Sequence, residues 1–490
     1  MSGVTTTNPQ YDDYKYLWWW MRHAVSGDVK GERQSGRSVS GAPGVVVTNG
    51  YDEKYSRTYN VREAFLPSEF AVTDPERYLG YLRRAYYFNA TGQARKALVG
   101  MVFTKDPIKD VPESMDYLLD NFDGSGQSVM QVAKRCEREI LTVGRVGLFV
   151  DYPKTEPGLS KDEELAIGVR PIGCIYEAES IINWKTTVSN GRSVLSLVVL
   201  HEQVDAGDEF GHSLEDQYRV LRLRNGVYSQ EVLNASGDTV APEFEPLAAG
   251  AALDHIPFYF IGAEDNMPDV DEPVLKALAD TNVAHYQVTA DNMENLHVHG
   301  QVTLGVVTKL DYSQFKDANP NGIKVGARTG HYLGEGGQLV TATAPESSSL
   351  SKALTQIEQQ MIYLGGKLVT RGGQAQTAEA ARIEAAAEYS VLDTTVKNLS
   401  EAFEAALKDM ARFEGANPDD VSFAFDMDYM GGNVDPQLAA AITGLKQGEI
   451  ISMEEAVDMI KSGKIQIPEG RTADEIKQAI AGDLINNFEE

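Results

Sequence analysis

Helical spacing of apolar positions dominates residues 12–24, 74–102, 128–143 and most of the chain after 270, while 146–153 and 170–262 carry the shorter rhythm of strands. The first helix spans 12–24, and its run YLWWWM (16–21) holds three tryptophans suited to anchoring a helix on a core or on a neighbouring subunit. Asp74-Pro75 is a helix start, a capping side chain followed by proline at the first helical position. The period then carries one helix through ERYLGYLRRAYYFNATGQARKALVGMVF to about 102, before Pro107 and Pro112 break the chain. Ser128 opens SVMQVAKRCEREILTVG, with Val129, Val132, Cys136, Ile140 and Val143 on one face. Gly144 stops it, and VGLFVDYP follows as a buried strand.

Strands are predicted at RPIGCIYEAESIINWK, SVLSLVVLHEQV, DQYRVLRLRNGVYSQEVLN and HIPFYFIGAED, with a hairpin turn at Asn225-Gly226. Segments 27–50 and 235–253 lack either period and read as loops. A helix over 272–297 is about 39 Å long. Its apolar stripe is thin: Leu275, Leu278, Tyr286, Met293 and Leu296, with Asn282 and Asp291 beside it. Such a stripe suits a helix packed against copies of itself, and equally an ordinary surface helix. Residues 301–345 alternate short strands (QVTLGVV, GQLVTATA) with turns at 320–322 and 334–337. Helices over 349–364 and 377–413 follow, then FAFDMDYM, a strand with Asp426 and Asp428 on its solvent face. Capping boxes at 452–455 and 472–475 mark a helical tail. The class is α+β, and no repeat of 20–50 residues is evident.

Composition changes this picture in one respect. The chain has 490 residues, 44 Lys+Arg against 72 Asp+Glu, and a net charge of −28. Such a surface repels phosphates and does not grip nucleic acid non-specifically, although solubility alone also accounts for it. Cys136 and Cys174 sit in apolar patterns and read as core residues, not as a disulfide framework. No secretory leader and no run near 18 apolar residues is present, so a cytosolic origin and no membrane partner are expected.

The motifs of catalysis are missing. Gly366-Lys367 and Gly463-Lys464 lack the first glycine and the Ser/Thr of a phosphate loop, and Gly334-Glu-Gly336-Gly337 ends in Leu339 where a dinucleotide fingerprint needs glycine. No nucleophile elbow and no H-E-x-x-H occurs. His285, His297 and His299 are the nearest histidine group, with His297 and His299 on one face of a strand; no acid or thiol at matching spacing completes a metal site. The expectation is therefore no enzyme, no cofactor and no metal. A chain of this length without catalytic residues is a candidate for architecture, with an enzyme of dispersed site as the rival class.

Several stretches carry a resemblance. They are FLPSEF (65–70), YFNATGQARKALVGMVFTKDP (87–107), ILTVGRVGLFVDYP (140–153), YEAESIINW (176–184), IPFYFIGAEDNMPDVDEPVLKALADTNVAHY (256–286) and TAEAARIEAAAEYSVL (377–392). In this order the chain resembles the portal proteins of tailed bacteriophages, and the local motifs are similar to a portal-like family first catalogued as a domain of unknown function. Residues 27–60 depart from it, being longer and richer in Gly and Ser. The resemblance implies a dodecameric ring in the virion, at the packaging vertex of the capsid, made in the host bacterial cytoplasm. Its parts would be a wing (1–270 and 377–432), a first stem helix (271–299), a clip (300–345), a second stem helix (346–364), a tunnel loop (365–376) and a crown (433–490). Implied partners are the terminase large subunit, the major capsid protein and scaffold, a tail adaptor protein and double-stranded DNA in the channel. Another structural virion protein, an adaptor or scaffold, is the alternative.

Three groups of residues acquire roles under that resemblance. Leu275, Leu278 and Tyr286 would pack stem helices of neighbouring subunits. Lys324 and Arg328 would dock the motor, within a segment that holds four cations against three acids. Thr370, Arg371, Gly372, Gly373 and Gln374 would face the DNA, with Arg371 the only cation between Lys367 and Arg382. The two glycines give such a finger conformational range. A plain helix–helix connection is the other reading of that loop.

Overall fold

The computed structural model describes residues 3–30, 61–153, 169–189, 191–300, 303–323, 330–342, 348–365 and 378–426. The chain divides into two units. The second, 104–106 with 426–490, is described only at 104–106 and 426, where Lys105 pairs with Asp426 at 3.1 Å. The first unit is 1–103 with 107–425.

The named elements in chain order are α1 (Pro9–Ser26), α2 (Pro75–Arg84), α3 (Ala90–Val102), β1 (Ile108–Asp110), α4 (Val129–Val143), β2 (Arg145–Asp151) and β3 (Ile172–Glu177). Strands β4 (Ile181–Ser189), β5 (Arg192–Asp205), β6 (Leu214–Arg224), β7 (Val227–Asn234), β8 (Thr239–Phe244) and β9 (Phe258–Gly262) come next. Then come α5 (Lys276–Gly300), β10 (Thr303–Val307), α6 (Tyr312–Ala318), β11 (Gln338–Ala342), α7 (Ser348–Tyr363), α8 (Ala378–Glu414) and β12 (Ser422–Ala424). The mixture of helix and antiparallel sheet is α+β, as expected.

The centre is a three-stranded antiparallel sheet in the order β9-β2-β3. Strand β2 is its middle strand, paired along both edges, and helices α4 and α8 pack on it, so Val146, Leu148, Phe149 and Val150 are buried. Helix α8 packs across β9, β2, β12 and α4. Helix α4 starts on the Ser128/Gln131 capping box and stops at Gly144. There φ is +86° and a Cβ would lie 2.4 Å from the Asp271 carbonyl oxygen, so only glycine fits. Removing the cap, Ser128→Ala, is expected to cost about 1 kcal/mol in a urea titration. An unchanged midpoint would show the reciprocal bonds to be idle.

Beside this core stands a five-stranded meander, β4-β5-β6-β7-β8. Its β6–β7 turn is Asn225-Gly226 at φ +54° and +77°, the positive angles that suit a two-residue hairpin. Helix α1 is capped by Asn8, whose Oδ1 accepts from Gln10 N at 2.9 Å, and Asn8 N donates to Ile182 O at 2.8 Å. Trp18 is fully buried, and Trp20 stacks on Phe65 with ring centroids 5.5 Å apart. Arg22 of α1 meets Glu139 at 2.7 Å and Glu179 at 2.5 Å, which ties α1 to α4 and to the entrance of β4.

Five expectations are corrected. The helix drawn over 74–102 is two helices, because residues 85–89 leave the helical path to bond elsewhere. Tyr87 OH donates to Ala24 O at 2.8 Å, Asn89 Nδ2 to Val25 O at 3.0 Å, and Asn89 Oδ1 caps α3 at Gly92 N. Segment 235–253 contains β8, an edge strand whose pairing with β7 shifts register and which tolerates Pro242, a residue that masks the strand period. Helix α6, opened by an Asp311/Gln314 capping box, lies between β10 and β11 where only turns were read. His297 and His299 lie on helix α5, which runs to Gly300, and not on a strand. Cys136 is buried as expected, but Cys174 is only partly so.

Candidate functional site

The long helix α5 and its return α7 pack along each other, and β10 pairs antiparallel with β11 between them in the chain. Twenty-five residues make α5 about 37 Å long. Its first half is fixed by the polar side chain of Asn282, which is fully buried. Asn282 Oδ1 accepts from Thr91 N and Thr91 Oγ1, both at 3.1 Å, and lies 3.2 Å from the Tyr87 hydroxyl, whose one hydrogen goes to Ala24 O. Its Nδ2 donates to Phe88 O at 2.7 Å. One amide thus satisfies the backbone of the α2–α3 break, which explains why that break persists in a helical sequence.

Apolar burial follows the same half. Leu275 and Tyr286 join the core of α1, α2 and α4, with Tyr286 set edge-on to Tyr87 at 5.4 Å. Leu278 packs on Ala90, Ala94 and Met361. The three residues expected to join neighbouring subunits are therefore interior to one chain, at 5%, 2% and 0% exposure. Helices α1, α2, α3 and α7 all pack on this half of α5. Beyond Ala290 the helix changes: Met293, Leu296 and Val298 are exposed. The face is held there by charge, through the Arg84–Glu294 pair and Tyr81 OH donating to Asp291 at 2.5 Å. Burial and the hydrogen bond to Asp291 push the Tyr81 phenol far up.

On α7 only Met361 is buried, while Tyr363 and Leu364 face solvent. At the strand pair Val307, Leu339 and Val340 are exposed. The hairpin thus has an anchored base and an apolar, uncovered outer part, with α6 and its exposed Tyr312 inserted between the strands in sequence.

His285 lies 3.6 Å from Glu358 of α7 and 3.5 Å from Thr289 Oγ1, so it links the two helices. Among the described residues no group of three or more His, Cys, Asp or Glu side chains is placed to hold a metal. Lys324, Arg328, Thr370, Arg371, Gly372, Gly373 and Gln374 lie outside the described residues, as do Asp428 and the tail after it. The anchoring role of Asn282 was not read from the sequence. A buried-face asparagine inside an apolar stripe was its one visible signal.

A family described as "Domain of unknown function (DUF4055)" matches residues 274–414, the stretch from the start of α5 to the end of α8. No curated protein matches the chain. Among solved structures, a chain from the virion of a native gene transfer agent particle is 15% identical, with a TM-score of 0.40, over 78% of this chain and 92% of that one. A chain from the neck of the native particle, computed with C12 symmetry, is 13% identical with a TM-score of 0.41, over 79% and 93%. A chain from the neck of the empty particle, computed with C6 symmetry, is 15% identical with a TM-score of 0.40, over 79% and 92%.

Proposed function

We propose that the chain is a portal-type protein, twelve copies of which form the ring at one capsid vertex through which a phage-like genome is packaged and ejected. The observation that carries this reading is the hairpin. A long helix with a buried base leads to a two-stranded tip, a helix returns, and a 37-residue helix then crosses the α/β core. That succession supports reading α5, the strand pair and α7 as the stem, clip and returning stem that the resemblance implies. The uncovered apolar outer part of the hairpin, at Met293, Leu296 and Val340, is what a self-associating stem and clip need.

In this reading the terminase large subunit docks on the clip, and the tail adaptor later takes its place. The major capsid protein and scaffold surround the wing. Residues 370–374 face double-stranded DNA. A mostly acidic duct avoids adhesion to its cargo, since strong grip on a duplex comes from cations that displace its counterions. One ring of Arg371 side chains would position the duplex without holding it.

Negative-stain imaging and native mass measurement of the purified chain test the reading. Rings with a central hole are expected, and a compact monomer at all concentrations would overturn it. Within a ring-forming protein, deletion of 371–374 is expected to spare assembly and lower the DNA content of particles. Full heads of normal DNA length would return the loop to a plain connection. Lys324→Glu with Arg328→Glu is expected to leave rings intact and weaken motor binding; packaging at the normal rate would remove both residues from the docking surface.

A further inference from the structure

The β5–β6 hairpin extends the meander at one end, and its loop is unusually well fixed. Asp205 Oδ1 accepts from Gly207 N and Ser213 N, both at 2.9 Å, and its Oδ2 lies 2.5 Å from His212 Nδ1. Asp208 Oδ1 accepts from Phe210 N at 3.1 Å and Gly211 N at 2.6 Å. Ala206 N closes the loop on Ser213 O at 2.7 Å. The two arms cross so closely that a Cβ on Gly207 would lie 1.9 Å from Gly211 O. These bonds spend their carboxylates on the loop's own backbone and leave Phe210 87% exposed at its tip, with Leu214 also exposed on β6. An aromatic ring held in water on a rigid support gains nothing for the fold. It loses little entropy on entering a partner, which is the property of an interface anchor.

The charge around it selects the occupant. Residues 205–216 carry five acids, Asp205, Asp208, Glu209, Glu215 and Asp216, and no lysine or arginine. A second copy meeting this loop about a two-fold axis would bring the same five negative charges to the same place, and any other face of a chain at −28 is on average acidic as well. We propose that Phe210 is the anchor of a docking surface for a different protein, one that offers an apolar socket rimmed by lysine and arginine. Burial of the ring supplies the grip, and the acid rim supplies steering and partner choice. This inference does not rest on the portal reading, since it concerns the meander and not the stem hairpin.

The test replaces Phe210 by benzoyl-phenylalanine in the full-length chain, made in its native cells and irradiated there. The expected result is one discrete adduct with another protein, its cross-linked peptide holding apolar residues beside Lys or Arg. Adding Asp208→Lys with Glu209→Lys is expected to lower the yield by about tenfold or more. The same probe at Val188, 77% exposed at the opposite end of β5's hairpin with β4, is expected to give no such adduct. Phe210→Ser is expected to melt at the wild-type temperature. An adduct with a second copy of this chain, diffuse labelling, or no adduct would overturn the proposal. So would a yield indifferent to charge reversal, an equal signal from position 188, or a lowered melting point for Phe210→Ser.

Discussion

Leu278→Asp is expected to cost the fold on the order of 4 kcal/mol, enough to unfold much of the chain under mild denaturant. Leu278 is 2% exposed and packs on Ala90, Ala94 and Met361, so a carboxylate there is buried against apolar side chains of α3 and α7. The loss combines the transfer energy of the leucine with desolvation of a charge. The contrast is Leu296→Asp, eighteen residues further along the same helix and 52% exposed. It is expected to change stability by less than about 0.5 kcal/mol and yet to weaken self-association, because its face is uncovered in the single chain. Urea midpoints and sedimentation velocity on both variants separate the two cases. A Leu278→Asp protein with wild-type stability would mean that the interior packing is not what holds α5. A Leu296→Asp protein that still assembles fully would show its face to be plain surface.

This pair also shows where sequence reasoning stops. The stripe Leu275–Leu278–Tyr286–Met293–Leu296 was legible as one feature because periodicity reports a face. It does not report what covers the face. Here the cover changes along the helix, from apolar packing with α1, α2, α3 and α7 over the first part to polar contacts from α2 and exposed Met293, Leu296 and Val298 over the last. Elements with local punctuation were legible in full. Ser128/Gln131 and Gly144 bracket α4, and Asn225-Gly226 sets the β6–β7 turn, because each needs only neighbours within a few residues. The break at 85–89 was not legible. Helical spacing runs straight through it, and the groups that stabilise it, Ala24 O, Val25 O and Asn282, come from about 60 and 190 residues away in sequence. Strand β8 was hidden by Pro242 and by its exposed edge position, which removes the apolar alternation. Of the proposed site, the hairpin was legible as a succession of elements. The roles of Arg371, Lys324 and Arg328 depend on the resemblance, since a cation in a polar loop has no periodicity to report.

Glu137→Gln is expected to stabilise the chain in a pH-dependent way. Glu137 lies on α4, fully buried against α8, and burial pushes its carboxyl up to about 7, a rise that the hydrogen bond from Thr395 only partly offsets. Thr395 Oγ1 lies 2.9 Å from Glu137 Oε1 and 2.9 Å from Leu392 O. A hydroxyl has one hydrogen. With the carboxyl neutral, Glu137 donates to Thr395 and Thr395 donates to Leu392, so both hydrogens are used and no charge is left buried. With the carboxyl ionised, Thr395 must leave one acceptor short, and the other oxygen, Oε2, has no hydrogen-bond partner among the described residues. The folded state therefore favours the protonated acid, and the unfolded chain, at about 4.5, does not. Below both values the acid is neutral everywhere and costs nothing. Above both, the fold carries the whole penalty of a buried charge, about 3 kcal/mol, and at pH 5 under about 1 kcal/mol of it. Glutamine imitates the neutral acid, with its amide donating to Thr395. The stability gap between Glu137→Gln and wild type is thus expected to widen in favour of the variant by about 2 kcal/mol between pH 5 and pH 8.5, read from urea titrations at each pH. A gap that stays constant over that range would show that Glu137 is not held neutral in the fold. A gap that narrows would mean the folded chain prefers the carboxylate, and that α4 and α8 meet around a paired charge.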